Sequence, residues 1–211
     1  MGNTGFGHGA SDGEGRQLTP RAVAAHPPTP GLCRGFFFVL RHLGLPQERG
    51  RARMTDLPTE NVQDYPRPPA LERVDLTLKV VFAGAVLAET RAGWRVLETH
   101  HAPTYYLPPE DIDMAALRPV SRRSLCEWKG QASYFDIEAR GQRAQQGAWR
   151  YRTPTARFAA IADHVAFYAS AVDEAWVGGV RVTPQPGDFY GGWVTPNLTG
   201  RIKGAAGTLH W

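Results

Sequence analysis

Residues 75–90 read D-L-T-L-K-V-V-F-A-G-A-V-L-A-E-T, and the alternation of their side chains is the clearest indication of the fold class. Apolar residues at positions 76, 78, 80 and 82 are separated by threonine, lysine and valine. This period of two is typical of a strand with one buried face. Ala83-Gly84 is a turn signal, and residues 85–90 resemble the partner strand. The stretch therefore predicts a β-hairpin.

Further strands are predicted after this hairpin. Pro108-Pro109 ends one of them, because proline cannot donate a hydrogen bond to a ladder. Gly178-Gly179 predicts a tight hairpin turn. The predicted strands are residues 94–98, 104–107, 133–137, 148–151, 174–177 and 180–183.

One amphipathic helix is predicted after Thr153-Pro154, where a capping residue precedes a proline in the first turn. Apolar residues then recur at helical spacing from Phe158 to Tyr168. Together these elements predict a mostly β, α+β fold made of compact antiparallel sheets with one helix.

The chain is expected to have three parts. Residues 1–53 contain no tryptophan or tyrosine and are rich in glycine and proline, so we expect a disordered or non-native N-terminal extension. A regulatory or localisation tail is the alternative. Residues 54–70 begin M-T-D-L, like a natural start, and form a proline-rich arm. Residues 71–211 are expected to form a single β-rich domain with a glycine- and aromatic-rich C-terminal tail.

The basic charge of the chain is confined to its first part. The formal net charge is +4, and residues 1–53 account for all of it with seven arginines against three acidic residues. The charge balance of the remaining residues predicts no binding of nucleic acid. No apolar run is long enough to span a membrane, so no membrane association is expected. The two cysteines, Cys33 and Cys126, do not form a disulfide framework, which favours a cytoplasmic location.

Reactive and aromatic side chains are concentrated between Glu98 and Tyr151, and this concentration predicts a pocket. The motifs of this region and its surroundings resemble, over roughly residues 60–211, the bacterial domain-of-unknown-function family 427. The motifs are Y-P-R-P-P (65–69), residues 95–112, C-E-W-K-G-Q-A-S-Y-F-D (126–136), residues 158–168, V-T-P-Q-P-G-D-F-Y-G-G-W (182–193) and K-G-A-A-G-T-L-H-W (203–211).

The resemblance implies a small, mostly β domain with no settled activity, similar to β-tent folds. Zinc-bearing β-tent proteins use paired C-x-x-C knuckles, which this chain lacks, so it would be a metal-free version. A nucleotidyltransferase label is attached to the family in places. That chemistry needs a Gly-Ser turn before paired acids that hold Mg²⁺. Asp111 and Asp113 instead follow Pro-Pro, so we interpret them as charges at the start of a helical turn.

Cys126 and Lys129 are the first candidates for chemistry. A thiol becomes a nucleophile when a nearby cation favours the thiolate, and Lys129 lies three residues from Cys126. The alternative is that Cys126 is a small buried hydrophobe. The chain has three lysines against twenty-one arginines, so Lys129 before a glycine suggests a point charge that anchors a carboxylate or phosphate. A solvated turn lysine is the alternative.

Glu98 and His100 are the second pair. Residues two apart on a strand share a face, so Glu98 would orient His100 as a general base and only one of the adjacent histidines would enter the pocket. One cysteine, one or two histidines and one glutamate at irregular spacing do not make a convergent ligand set, so neither a metal nor a cofactor is expected.

Three functions remain open at this point. The favoured one is a ligand-binding β domain for a small anionic or polar metabolite. The second is an enzyme that uses Cys126 or His100, with Lys129 as electrostatic stabiliser. The third is a protein-interaction module that uses the aromatic tail around Phe189–Trp193. The predicted pocket residues are Glu98, His100, Tyr105, Cys126, Lys129 and Trp149. The sequence leaves the oligomeric state undetermined.

Overall fold

The structure is a computed structural model that describes residues 57–187 and 189–208. The predicted extension of residues 1–53 and the start of the predicted arm, 54–56, lie outside the described residues. Fifteen strands are found in the described part: β1 (Glu60–Asn61), β2 (Ala70–Arg73), β3 (Leu78–Phe82), β4 (Ala85–Thr90), β5 (Trp94–Leu97), β6 (Thr104–Tyr106), β7 (Leu117–Cys126), β8 (Gly130–Ala139), β9 (Gln142–Tyr151), β10 (Val165–Phe167), β11 (Glu174–Val177), β12 (Val180–Arg181), β13 (Thr183–Pro184), β14 (Trp193–Val194) and β15 (Leu198–Thr199).

The strands form three antiparallel sheets and two short pairs, which confirms the mostly β prediction. One four-stranded sheet has the order β10-β9-β8-β7 and another has the order β12-β11-β3-β4. A three-stranded sheet has the order β2-β5-β6, while β13 pairs with β14 and β1 pairs in parallel with β15. The helical segments of the described residues are five 3-10 helices: Val62–Asp64, Pro109–Asp111, Met114–Ala116, Ala156–Ile161 and Ala169–Ala171. No helix in this described part is long and apolar enough to cross a membrane.

The hairpin predicted from residues 75–90 is confirmed by the pairing of β3 with β4. Leu78, Val80 and Phe82 are buried, as the period of two requires, and the chain turns at Ala83-Gly84. Leu76 is 40% exposed, because the strand begins only at Leu78. The hairpin predicted at Gly178-Gly179 is also confirmed, by the pairing of β11 with β12.

The predicted amphipathic helix is wrong in extent and type. Ala156–Ile161 forms a 3-10 helix that is not capped by a side chain, and Val165–Phe167 is strand β10, paired with β9. Asp163, with φ +59°, interrupts the segment between them. Some of the apolar residues that suggested a helix belong to β10 instead. All three residues of this strand are completely buried, on both of its faces.

Three apolar clusters form the core of the described residues: two large ones and a small one of Val62, Tyr65 and Leu97. The larger cluster joins the two four-stranded sheets through side chains such as Leu78 and Val80 on one and Ile137 and Val165 on the other. The second cluster is aromatic and contains Tyr106, Tyr134, Trp149, Tyr151 and Phe158. Fully burying one large apolar side chain contributes about 1.5–3 kcal/mol, so these clusters account for much of the driving force for folding.

Candidate functional site

A cavity of about 330 Å³ lies beside the aromatic cluster. Its wall is formed by the end of β5, by β6, by the β7–β8 hairpin with β9, and by the C-terminal tail. This volume is in the range of pockets that bind small molecules. The lining residues are Arg67, Val96, Glu98, His101, Thr104, Tyr106, Arg122, Ser124, Leu125, Cys126, Glu127, Trp128, Lys129, Tyr134, Trp149, Tyr151, Tyr168, Gln185, Phe189, Tyr190, Gly191, Gly192 and Lys203.

Four of the six predicted pocket residues lie on this wall: Glu98, Cys126, Lys129 and Trp149. His100 and Tyr105 do not, and their neighbours His101 and Tyr106 take their places. The shared-face argument for Glu98 and His100 is wrong because β5 ends at Leu97. His100 lies in the following turn with φ +64°, and its Nδ1 is 3.1 Å from the carbonyl oxygen of Arg201.

Tyr105 faces away from this cavity. Its ring lies 5.2 Å from that of Trp193, centre to centre, and it lines a second, smaller cavity of about 160 Å³ together with Glu60 and Arg95. Burial raises the pKa of Tyr105 to about 12. Successive residues of a strand point to opposite faces, so Tyr106 lines the larger cavity while Tyr105 faces away from it.

Lys129 owes its position to a tight turn. Residues 127–129 connect β7 to β8, and the turn closes at Gly130, whose φ of +94° favours glycine. Thr155 fixes the turn from outside: its N–H donates to the carbonyl of Lys129 at 3.2 Å, and its Oγ1 donates to that of Trp128 at 2.6 Å. The Thr-Pro-Thr segment expected to start a helix therefore holds this turn instead.

The Lys129 ammonium has aromatic rings rather than a carboxylate as neighbours. Its Nζ lies 5.9 Å from the ring centre of Tyr151 and 5.8 Å from that of Phe158. Within residues 57–187 and 189–208, no carboxylate is within ion-pair distance of it. A half-buried cation without a counter-ion favours an anion in the adjacent space.

Several tyrosine side chains and one thiol form part of the wall. Burial raises the pKa of Tyr106 and of Tyr151, and raises that of Tyr168 to about 12, so these phenols are neutral near pH 7. The thiol of Cys126 adjoins the Tyr151 hydroxyl. The hydroxyl groups of Ser124 and Tyr134 are hydrogen-bonded at 2.7 Å.

Two buried polar groups of the wall have no hydrogen-bond partner among the described residues. They are the hydroxyl of Tyr106, a residue that is fully buried, and the indole N–H of Trp128. The Trp149 side chain lies close to the Tyr106 hydroxyl, but the pair lacks the geometry of a hydrogen bond. A buried polar group without a partner costs about 1–3 kcal/mol, so these two groups lower the stability of the folded domain.

Arg67 is paired with two carboxylates at the cavity mouth. Arg67 is 3.1 Å from a carboxylate oxygen of Glu127 and 3.9 Å from one of Glu98, and its guanidinium lies 6.0 Å from the Trp128 ring centre. Arg67 and Glu127 have side chains that are 52% and 64% exposed, so their ion pair adds little to stability. Its effect is to neutralise Arg67.

His101 presents one nitrogen with a free lone pair. Burial lowers the pKa of His101 below its ordinary value, although the carboxylate of Glu98 opposes the shift, so the ring is neutral near pH 7. Nδ1 lies 3.0 Å from the carbonyl oxygen of Thr99 and must therefore carry the proton. Nε2 is then the acceptor nitrogen. The Tyr190 ring holds the imidazole in an edge-to-face contact at 4.8 Å.

The C-terminal tail completes the wall through Gln185, which is 3% exposed. Its Oε1 accepts a hydrogen bond from the Ala102 N–H at 3.2 Å, and its Nε2 donates to the Lys203 carbonyl at 2.9 Å. Gly191 packs directly on the indole of Trp149, where a Cβ atom would collide with the ring. The sequence suggested a role in protein interaction for the tail around Phe189–Trp193 but no role in the cavity wall, and the only signal was the density of glycine and aromatic residues.

Asp111 and Asp113 lie away from this cavity. Thr90 Oγ1 donates to Asp111 at 2.5 Å, and the Asp113 side chain accepts from the N–H of Ala115. No group of three or more His, Cys, Asp or Glu side chains in the described ranges is placed to hold a metal ion.

Residues 70–178 match the family described as "Domain of unknown function (DUF427)", with the short name NTP_transf_9. The chain belongs to this family. The match includes the β5–β6 sheet and the β7–β9 face of the cavity, while the tail residues Gln185 to Lys203 lie beyond it. A search of the curated proteins finds no match for the chain.

Proposed function

We propose that this DUF427 protein is a ligand-binding β domain whose cavity takes a small anionic or polar metabolite. The observation that carries the proposal is the Lys129 ammonium, which lines the cavity and has no carboxylate within ion-pair distance among the described residues. An acceptor oxygen of a ligand would bind this ammonium. The cysteine usage supports a cytoplasmic setting for this function.

The test is a screen of small anions and neutral polar compounds by the thermal midpoint of the full chain. A true ligand raises the midpoint, because it binds only the folded state. A Thr104→Trp variant, which reduces the cavity, should lose the response, while Lys79→Gln should keep it because Lys79 lies outside the cavity. Compounds that stabilise the Thr104→Trp variant as well as the wild type would count against this cavity as the site.

An enzyme is the second candidate function, and one observation favours it. Cys126 is half-buried on the cavity wall beside Tyr151, and His101 presents an acceptor nitrogen on the same wall. His101 takes over the general-base role that the sequence suggested for His100. The reactivity of the Cys126 thiol distinguishes an enzyme that uses this thiol from a binding domain.

A protein-interaction module is the third candidate. Phe189 is 73% exposed at the cavity mouth, but Trp193, at the other end of the predicted surface, is fully buried, so the exposed patch that this function requires is reduced to Phe189. Single exposed apolar residues are common on monomeric proteins, however, so we rank this function below small-molecule binding.

A further inference from the structure

Cations outnumber carboxylates on the described part of the cavity wall. Both carboxylates are paired with Arg67, at 3.9 Å and 3.1 Å. Four cations against two carboxylates leave this wall with a formal charge of +2 while His101 is neutral. A ligand with two negative charges is therefore electrostatically complementary to it. The cations are Arg67, Arg122, Lys129 and Lys203, and the carboxylates are Glu98 and Glu127.

Lys203 and His101 are positioned by the same aromatic ring. The imidazole lies 4.8 Å from the Tyr190 ring, centre to centre, and the Lys203 Nζ lies 5.3 Å from the centre of that ring. The backbone joins the two segments, because the Lys203 N–H donates to the His100 carbonyl at 2.7 Å. The tail therefore brings an ammonium group to the part of the wall where His101 lies.

Lys129 approaches the same imidazole from the turn between β7 and β8. Burial is the main cause of the low pKa of His101, and the ammonium groups of Lys203 and Lys129 lower it further, against the carboxylate of Glu98. Both ammonium groups therefore lie close enough to His101 to repel its protonated form. The two lysines and His101 are half-buried and line the cavity, so a ligand can reach all three.

A single group with two charges fits this place better than two separate anionic groups. Lysine binds phosphate as a compact point charge, and two lysines beside one imidazole concentrate positive charge in one place. A phosphate monoester carries nearly two negative charges on three oxygens at about pH 7. Arg122 lies elsewhere on the wall, 4.5 Å from the Tyr134 ring centre, where it donates to the uncharged Gln146 side chain.

The remaining wall is largely apolar and aromatic. Trp149 and Tyr168 pack with their ring centres 4.5 Å apart. Leu125 and Phe189, 83% and 73% exposed, are the most exposed large hydrophobic residues of the described part, and both line this cavity. Their position predicts an apolar ligand portion that extends toward the mouth.

We infer that the ligand is a small phosphate monoester with an apolar, ring-bearing ester portion. The phosphoryl group lies between the ammonium groups of Lys129 and Lys203, beside His101. The ester portion lies against Trp149 and extends toward Leu125. This inference rests on the proposed function, because it names the ligand class of the same cavity.

Binding of a phosphoryl group at this place requires a proton on His101. The Nε2 of a neutral imidazole and the phosphoryl oxygens are all acceptors, whereas the protonated ring donates from Nε2. The two lysines oppose protonation in the free cavity, and a bound dianion reverses their effect, so binding takes up a proton. The groups that face His101 are Glu98, Lys129, Lys203 and Tyr190, with the Thr99 carbonyl at Nδ1.

The experiment compares four probes by isothermal titration calorimetry with the full chain. Phenyl phosphate carries the ring and the dianion, phenyl sulfate is its monoanionic isostere, isophthalate carries two separate carboxylates on a ring, and inorganic phosphate lacks the ring. We expect phenyl phosphate to bind at least about tenfold more tightly than phenyl sulfate and isophthalate, since one hydrogen bond to a charged group is worth at least about tenfold in affinity. Inorganic phosphate should bind more weakly than phenyl phosphate.

The variants give the matched comparison. Lys129→Gln and Lys203→Gln should each reduce the affinity for phenyl phosphate about tenfold or more, while Lys79→Gln, outside the cavity, should leave it unchanged. Titrations in two buffers with different ionisation enthalpies measure the proton uptake. At about pH 7.5 a phosphate monoester is almost fully ionised, so the uptake reports His101, and His101→Gln should abolish it.

Equal binding of phenyl phosphate and phenyl sulfate, or tighter binding of isophthalate, would overturn the phosphate assignment and leave an anion-binding cavity in place. Binding without proton uptake would overturn the position beside His101, and equal binding of inorganic phosphate would overturn the place of the ester portion. Absence of binding by every probe at millimolar concentration would overturn the whole inference, while the broader thermal screen would still judge the proposed function.

Discussion

The ammonium of Lys129 and the ring of Tyr151 face each other at 5.9 Å, and the hydroxyl of the same tyrosine adjoins the Cys126 thiol. One buried tyrosine therefore contacts both groups that the sequence singled out for chemistry. The Tyr151 phenol is held neutral by burial, and Glu127, next to Cys126 in the chain, is paired with Arg67 at 3.1 Å. This arrangement links the reactivity of the thiol to the residue at position 129.

Replacing Lys129 with alanine should slow the alkylation of Cys126 several-fold near neutral pH, because the ammonium attracts the negatively charged sulfur that reacts with iodoacetamide. The free energy of unfolding should change by only about 0.5–1 kcal/mol, the value of the lost ring contacts. The measurement is the rate of iodoacetamide labelling against pH in the full chain, with peptide mass spectrometry to separate Cys126 from Cys33. Lys79→Ala is the control. Negligible labelling of Cys126 in both proteins would exclude an enzyme that uses this thiol.

Tyr106 and Tyr134 provide a matched pair of hydroxyl deletions. Tyr106→Phe removes a buried hydroxyl without a partner and should leave the ligand-free protein equally or more stable. Tyr134→Phe breaks the hydrogen bond to Ser124 and should destabilise by about 1 kcal/mol. Urea unfolding of both variants measures the difference. A clear destabilisation by Tyr106→Phe would mean that its hydroxyl already has a hydrogen-bond partner in the folded protein.

The fold was predictable where the contacts join segments that are neighbours in the chain. The alternation in residues 75–90 and the glycines at 178–179 specify hairpins between neighbouring segments, and both formed. The apolar spacing after Thr153 was ambiguous, because a short strand covered on both faces buries every residue and imitates a helical face. Only the pairing of β10 with β9 shows that this segment is a strand, and the spacing of apolar residues in a sequence contains no information on strand pairing.

Part of the site was predictable because some of its residues are close together in the chain. Cys126 and Lys129 lie in one hairpin turn, so their proximity follows from the sequence. The wall also depends on contacts between residues far apart in the chain, such as Ala102 with Gln185, 83 positions away. His100 was wrongly expected on the cavity wall, because β5 ends at Leu97, one residue before the predicted end of the strand, and His100 lies in the following turn. A single sequence contains no local signal for contacts of this kind.

Asp136 should make stability depend on pH in the acid range. Burial opposes ionisation, but hydrogen bonds from the Gln146 N–H at 2.6 Å and from Arg143 hold the pKa of Asp136 below its ordinary value. A lowered folded-state pKa contributes stability above the unfolded-state pKa, near 3.8, and that contribution is lost as pH falls through the folded-state pKa.

Asp136→Asn should therefore be less stable than the wild type at pH 7, and the difference should shrink below about pH 4. Urea unfolding from pH 7 to pH 2.5 measures the two curves. Asp173→Asn is the control, because Asp173 is exposed and accepts from the Gly84 N–H in a turn. A difference that stays constant over the whole range would show that the charge of Asp136 is not the stabilising feature.

Gln185 should be the residue that holds the C-terminal tail against the cavity wall. Its amide joins the Ala102 N–H to the Lys203 carbonyl, so Gln185→Ala leaves both buried groups without this partner. The expected loss is about 1–3 kcal/mol for each group that stays buried and unpaired, measured by urea unfolding. Gln145→Ala, at an exposed position of β9, should change stability by less than about 0.5 kcal/mol.

Gln185→Glu distinguishes the two hydrogen bonds, because the carboxylate keeps the acceptor for Ala102 but loses the donor to Lys203. If Gln185→Glu were as stable as the wild type, the bond to Lys203 would have no energetic role, and the tail would be held against the cavity by Tyr190 and Trp193 instead.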